Sequence, residues 1–286
     1  MSVIVQAFFH QDSNTWSYLV SDPATKHALV IDPVLDYDPK SGRTGTSSIG
    51  KIADAIAEGG LRLQWILETH AHADHLSAAP WLQARCGGRV GIGEGIRLVQ
   101  AAFKPIFNLE ADFATDGSQF DHLFADGEAF ALGTIEARVI AVPGHTSDSV
   151  AYLVGDALFV GDSIFMPDGG TARCDFPGGD AAMLYRSIQR LLQLPDATRL
   201  FVCHDYGPGG RAVAHETTIG EQRRANIHVR DGVDEASFVA MREARDAGLA
   251  VPVLMLPAVQ VNIRAGRLPP PDENGVRYLK IPLDAL

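Results

Sequence analysis

The chain has 286 residues, 46% of them hydrophobic, and a formal net charge of −11. That length suits one large domain, and the acidic balance disfavours nucleic acid, whose phosphate backbone it would repel. No apolar run is long enough to span a membrane, the first residues lack the marks of a signal peptide, and Cys86, Cys174 and Cys203 form no disulfide framework, so a soluble cytoplasmic protein is expected.

In chain order, Val3–Phe9, Trp16–Val20 and Ala28–Ile31 read as strands separated by polar turns. Residues 36–48 read as a polar loop. Ile49–Glu58 is helical by pattern, with Ile49, Ile52, Ala53 and Ile56 on one face and Gly59-Gly60 as its stop. Leu63–Glu68 is a strand. The segment Leu76–Ala84 reads as a helix ending near Gly87-Gly88, with Asp74 and His75 at its start. Arg89–Ile92 is a strand, Ile96–Phe103 a helix, and Lys104–Phe124 a surface excursion.

Strands return at Ala129–Ala131, Ile135–Val142, Ser149–Val154 and Ala157–Val160. Asp180 is placed to cap a helix whose Met183, Leu184, Ile188, Leu191 and Leu192 point inward. A buried strand at Leu200–Cys203 precedes helices at about Glu216–Asn226 and Glu235–Ala247. Residues 252–286 are proline-rich and read as mostly irregular. Strands and helices alternate in two series, which predicts two sheets packed face to face with helices outside.

The run Thr69-His70-Ala71-His72-Ala73-Asp74-His75 carries three imidazoles and a carboxylate within six consecutive residues. Such groups are costly to bury unless something coordinates or hydrogen-bonds them, and neutral imidazole and carboxylate are natural metal ligands. A solvated polar loop would need no further partners, yet the sequence supplies them. His145, Asp162 and His204 each follow an apolar strand at a glycine-containing or polar turn. That placement predicts convergence at one end of a sheet.

In its order His-x-His-x-Asp-His, His, Asp, His, the chain resembles the metallo-β-lactamase-fold proteins from Val3 to about Ile227. The resemblance implies an α/β, four-layer αββα sandwich. The whole chain, 1–286, is then one domain of this fold with a C-terminal extension from about residue 228. The fold hosts several chemistries, so the motif does not choose among them. After Asp162, the stretch Thr171-Ala172-Arg173-Cys174-Asp175-Phe176 is similar to the persulfide dioxygenases (sulfur dioxygenases), although that family more often has Gly-Arg-Thr-Asp where this chain has Ala-Arg-Cys-Asp. His204-Asp205-Tyr206 and the Asn262-Ile263-Arg264 element are also similar to that subfamily, a group that includes β-lactamase hydrolase-like proteins.

That resemblance implies one Fe(II) per chain, held by His70, His145 and Asp162. Such a two-histidine, one-carboxylate triad leaves room for O2 and substrate together. It further implies oxidation of glutathione persulfide by O2 to sulfite and glutathione, a step of sulfide detoxification. Arg173, Tyr206 and Arg264 would then contact substrate, with Asp175 orienting Arg173. His72, Asp74, His75 and His204 would lie around the iron or serve a second metal. A homodimer is compatible with the resemblance. The competing expectation is a dinuclear zinc hydrolase of glyoxalase II-like thioesters or lactones, since every ligand of a two-metal site is present. Phe165 and Met166 are read as apolar wall and Cys174 as a passive small residue. His10, His27, His122, His215 and His228 are assigned no role.

Overall fold

Alternate residues of the strand His27–Ile31 enter two different cores. Ala28 and Val30 pack with helices on one side, and Leu29 and Ile31 face a second sheet on the other. A strand buried on both faces in this way needs a layer above and below it. In the computed structural model, which describes residues 2–284, those layers are a helical shell and a second sheet.

The first half of the chain runs β1 (Ile4–His10), β2 (Thr15–Ser21), β3 (His27–Ile31), β4 (Val34–Asp38), β5 (Arg43–Gly45), α1 (Ser47–Glu58), β6 (Arg62–Leu67), β7 (Leu76–Ser77), α2 (Ala79–Cys86), β8 (Arg89–Gly93), α3 (Ile96–Ile106) and β9 (His122–Phe124). The second runs β10 (Ala129–Leu132), β11 (Ile135–Ala141), β12 (Val150–Val154), β13 (Ala157–Phe159), α4 (Ala181–Leu191), β14 (Arg199–Phe201), β15 (Glu216–Thr218), α5 (Ile219–Ala225), α6 (Glu235–Asp246) and α7 (Met255–Asn262). One mixed sheet has the order β1-β2-β3-β6-β8-β9 and the other β10-β11-β12-β13-β14-β15.

Three cores define four layers. Helices α1, α2, α3 and α7 cover the outer face of the first sheet through Ile52, Leu82, Phe103 and Val259. Between the sheets, Val20, Leu29 and Leu67 meet Val139, Tyr152 and Phe201. Helices α4, α5 and α6 cover the second sheet through Leu184, Ile188, Ile219 and Phe238. This is the expected αββα sandwich. Among the described residues, no helix is long and apolar enough to cross a membrane.

Five local expectations are corrected. The 36–48 stretch is no loop: β4 and β5 pair there as a hairpin, and β4 also pairs with β7. Because β7 intervenes, Asp74 and His75 lie in a loop, and α2 begins only at Ala79 with Pro80 in its first turn. The supposed excursion after α3 buries Phe107, Leu109, Phe113 and Phe120 in the first core, because its aromatics fold under α3 and α7 rather than onto solvent. Met183 is exposed, since the inward stripe of α4 runs through Leu184, Ser187, Ile188 and Leu191; Asp180 does cap that helix through the Met183 N–H. The tail is not all irregular: α7 is nearly wholly buried from Ala258 to Asn262.

Candidate metal centre

The histidine-rich loop leaves the end of β6 and returns through β7. His70, His72 and His75 are all but fully buried there. Polar side chains from distant parts of the chain hold its backbone. Asp32, at φ 49° just after β3, accepts from the Thr69 N–H at 2.7 Å and its hydroxyl at 2.9 Å. Asp148 accepts from the Ala71 N–H at 2.8 Å. Asn262 Nδ2 donates to the carbonyls of His72 and His75, both at 2.8 Å, and its Oδ1 accepts from the Ser77 N–H at 2.8 Å.

The remaining donors arrive from strand ends of the second sheet. His145 follows β11, after Gly144 at φ 141°, where a Cβ would lie 2.3 Å from the Leu184 backbone. Asp162 follows β13, after Gly161 at φ 53°, where a Cβ would lie 2.6 Å from the Thr69 hydroxyl. Only glycine lets these two turns close so tightly on their neighbours. His204 follows β14, and its backbone bridges to Thr15.

Second partners fix which imidazole nitrogen faces inward. His145 Nδ1–H donates to the Arg173 carbonyl at 2.7 Å, leaving Nε2 free near Asp162. His72 Nε2–H donates to Asp32 Oδ1 at 3.0 Å, leaving Nδ1 free. His204 Nδ1–H donates to the Asn14 carbonyl at 3.2 Å, while Nε2 lies 3.1 Å from Asp74 and 3.3 Å from Asp162. A ligating histidine whose other nitrogen is held this way is the usual arrangement at a metal.

Six buried atoms at the centre have no hydrogen-bond partner: His70 Nε2, His72 Nδ1, Asp74 Oδ2, His75 Nε2, Asp162 Oδ1 and His204 Nε2. Leaving so many polar atoms unsatisfied in one place is costly, and a cation is what all six have in common. Burial first, then the neighbouring imidazoles, push the His70 and His72 pKa values well below the ordinary histidine range, so both rings are neutral and ready to ligate. At His204 burial pushes the same way but is outweighed by Asp162 and Asp74, which raise its pKa.

The seven donors form two sets, within each of which the ligand atoms lie within 4.8 Å of one another: His70, His145 and Asp162; and His72, Asp74, His75 and His204. Two further groups of the same closeness, Asp32–His72–Cys203 and Asp162–Cys203–His204, adjoin them through the buried Cys203. All seven predicted metal residues are therefore brought together. Sequence reasoning missed the residues that hold them. Asp32 follows an apolar strand and precedes Pro33, a signal for a sharp strand exit. Glu68, wholly buried, bonds Ser77 and lies 3.7 Å from His72. Burial and the nearby Asp32 raise its pKa well above the carboxylate range, so it sits there as a neutral acid.

Two cavities adjoin the centre. One of about 370 Å³ is lined by His145, Asp162, Phe165, Arg173 and Phe176 among others. A larger one of about 890 Å³ is walled by the β4–β5 hairpin and His75. Asp74, Tyr206 and Pro252 line both. Tyr206, exposed, stacks on His204 at 6.1 Å between ring centroids, so the predicted residue stands at the shared rim. Arg173 lines the smaller cavity, but its fork is engaged. It grips Asp175 through two bonds of 2.5 and 2.6 Å, donates to the Ala250 carbonyl at 2.7 Å and covers the Phe176 ring. Arg264 is corrected: it lines neither cavity, because Glu110 at 2.5 Å and the ring of Phe113 draw it away. The part of its element that reaches the centre is Asn262.

Residues 10–204 match a protein family described as the metallo-beta-lactamase superfamily. The chain belongs to the metallo-β-lactamase superfamily. Its buried His, Asp and Cys clusters are typical of a metal site of that superfamily. A probable metallo-hydrolase of Burkholderia pseudomallei is 55% identical over 99% of both chains. A β-lactamase hydrolase-like protein of Agrobacterium fabrum is 54% identical over 99% of this chain, which spans 65% of that protein's length. The human mitochondrial persulfide dioxygenase ETHE1 is 28% identical over 92% of this chain and 89% of its own. Among superfamily structures, ETHE1 from Myxococcus xanthus superposes with a TM-score of 0.73 at 31% identity, covering 92% of this chain and 100% of that one.

Proposed function

We propose that this metalloenzyme is a persulfide dioxygenase that takes glutathione persulfide and O2. One observation carries the reading. His70 and His72 are two residues apart, yet they fall into different donor sets. The set nearest the smaller cavity therefore has two imidazoles and one carboxylate, His70, His145 and Asp162. Iron(II) suits that donor set and, when bound, supplies the electron-transfer chemistry that O2 requires. The likeness to ETHE1 of Myxococcus xanthus along that whole chain supports the same reading.

The chain's own residues would do the rest. Phe165 and Phe176 give the cavity an apolar wall against bulk water. The Tyr206 hydroxyl, at the rim, would donate a hydrogen bond to the substrate. The Arg173 carbonyl holds the His145 ring in one orientation. Overall, persulfide, O2 and water give thiol and sulfurous acid, with both atoms of O2 ending on the outer sulfur.

A second reading, hydrolysis of a thioester or lactone with two zinc ions, is favoured by two observations. The relatives at 54–55% identity carry hydrolase names, which outweigh the more distant dioxygenase on sequence likeness alone. The set His72, Asp74, His75 and His204 would hold a second cation. Zinc there would supply a water ionised near neutral pH.

Oxygen uptake by iron-loaded protein on adding glutathione persulfide tests the choice, run beside anaerobic hydrolysis of S-lactoylglutathione by zinc-loaded protein. Rapid uptake with matching sulfite is expected. Anaerobic hydrolysis with no oxygen uptake by protein that demonstrably holds iron would overturn the dioxygenase in favour of the hydrolase.

A further inference from the structure

Three arginines line the smaller cavity: Arg173, Arg242 and Arg245. Two of them are fully engaged. Arg173 is held by Asp175 and the Ala250 carbonyl. Arg242 is buried at 2% exposure, bonded to Asp246 through Nε at 3.2 Å and Nη2 at 2.5 Å and to the Thr171 carbonyl at 2.9 Å. Their acidic partners are equally occupied, since Asp246 also accepts from the Cys174 N–H at 2.8 Å.

Arg245 differs. It lies one turn beyond Arg242 on α6 and is exposed. Among the described residues its guanidinium has no hydrogen-bond or ion-pair partner. It therefore brings an uncompensated cation to a cavity that opens on His145 and Asp162, in a chain whose net charge is −11. Phe165, Phe176, Leu249 and Pro252 make part of that wall apolar, beside the polar Asp74, Thr171 and Tyr206. A planar guanidinium fork with nothing in it matches a carboxylate in shape and charge.

We propose that Arg245 is the specificity-determining residue of this cavity, binding a carboxylate of a small thiol-derived substrate whose sulfur reaches the metal donors. Arg173 then acts as a clasp between the 171–176 segment and residues 249–250, and Arg245 takes the anion. The proposal rests on reading the cavity as the substrate site. It is the same for persulfide oxidation and thioester hydrolysis, because a glutathionyl group carries its carboxylates in both.

The probe is S-methylglutathione, which has neither a persulfide nor a thioester bond and so is inert under both readings. Its dissociation constant is measured by calorimetry with metal-loaded wild type, Arg245→Met and Arg245→Lys. Arg245→Met is expected to weaken binding about tenfold, the range for a hydrogen bond to a charged group. Arg245→Lys is expected to recover part of the loss. Amidating the glycine and glutamyl carboxylates of the probe is expected to weaken wild-type binding and leave the Arg245→Met variant unchanged. In turnover, KM should rise with kcat unaltered. Equal affinity of wild type and Arg245→Met, including no binding to either, would overturn the proposal and leave Arg245 a solvated helix-end residue. Because the probe is not turned over, a failed oxygen-uptake assay would remove the dioxygenase reading without touching this result.

Discussion

Asn262, at the end of α7, donates from one amide nitrogen to the carbonyls of both His72 and His75, 190 and 187 residues away along the chain. Its carbonyl oxygen accepts from the Ser77 N–H. One side chain thus spans the metal loop and the start of β7, and it does so from a helix buried against Leu76. The C-terminal segment is part of the metal centre's scaffold.

Replacing Asn262 by Ala leaves two buried carbonyls and a buried N–H without a partner. A cost of about 1–3 kcal/mol is expected for groups so orphaned. Metal affinity should fall by about 10–100-fold, the usual scale for outer-shell losses. Asn262→Asp should not rescue it, because a carboxylate can accept from Ser77 but cannot donate to the two carbonyls. Metal retention during stepwise chelation, read beside the thermal midpoint, checks this. Unchanged retention in Asn262→Ala would mean that the loop holds its shape without the clamp.

Asp32 offers a sharper dissection, since its two oxygens reach the two donor sets separately: Oδ1 faces His72 Nε2, and Oδ2 accepts from the Thr69 hydroxyl, which lies 3.1 Å from His70 Nδ1. As an acceptor it requires His72 to carry its proton on Nε2, which leaves the Nδ1 lone pair for a metal. In Asp32→Asn, the amide oxygen stays at the Oδ1 position, because the Thr69 N–H and His72 Nε2–H both donate there. The NH2 then faces the Thr69 hydroxyl, which turns to donate to His70 Nδ1 and puts the His70 proton on Nε2. Metal at the His70, His145 and Asp162 set should weaken by about 10–100-fold. The His72, Asp74, His75 and His204 set should keep its ion. Titrating metal into the stripped variant and counting equivalents distinguishes the two sets. Loss of both ions to the same degree would show that Asp32 serves the fold rather than a tautomer.

The convergence of the seven His and Asp side chains is legible because its signal is local: strand, then turn, then His or Asp. The four layers followed from alternating strand and helix patterns. What stayed hidden depended on distance. Asp32 and Asn262 reach His72 from opposite ends of the chain, and neither has a neighbour in sequence that announces the contact. The motif around Arg264 does not say where its side chain turns, and Glu110 decides that. Pro252 and Pro257 break the helical pattern of α7, although Pro257 falls in its first turn, where proline is tolerated. The aromatics Phe107, Phe113 and Phe120 follow no period, so their burial under α3 is visible only in three dimensions.

Arg173 gives a prediction that separates a clasp from a substrate contact. Its fork is engaged by Asp175 and by residues 249 and 250, and its carbonyl holds His145. Arg173→Met should let the 171–176 segment shift and loosen the His145 ring. Metal content and kcat are expected to fall together, with KM changed less than about threefold, since remote misplacement costs mainly rate. Atomic-absorption metal content and steady-state kinetics on the same preparation check it. A large rise in KM with full metal content and unchanged kcat would instead mean that Arg173 contacts substrate.

His228 sets a pH dependence away from the metal. It is buried, and its Nδ1 accepts from the Thr171 N–H at 3.0 Å, so the ring is neutral in the fold. Burial, followed by the nearby Arg242 and Arg245, lowers its pKa from 6.5 to about 4. In the unfolded chain it takes up a proton near 6.5. Its contribution is therefore fully present above pH 6.5 and is lost progressively as the pH falls toward 4, because the unfolded state binds more protons across that window. In His228→Gln the amide oxygen can accept from Thr171 and does not titrate. Chelator-treated wild type should lose denaturant resistance more steeply than His228→Gln between pH 6.5 and 4. Above pH 7 the difference between them should be constant. Urea midpoints at half-unit intervals measure both slopes, and equal slopes would show that His228 is already able to protonate within the folded protein.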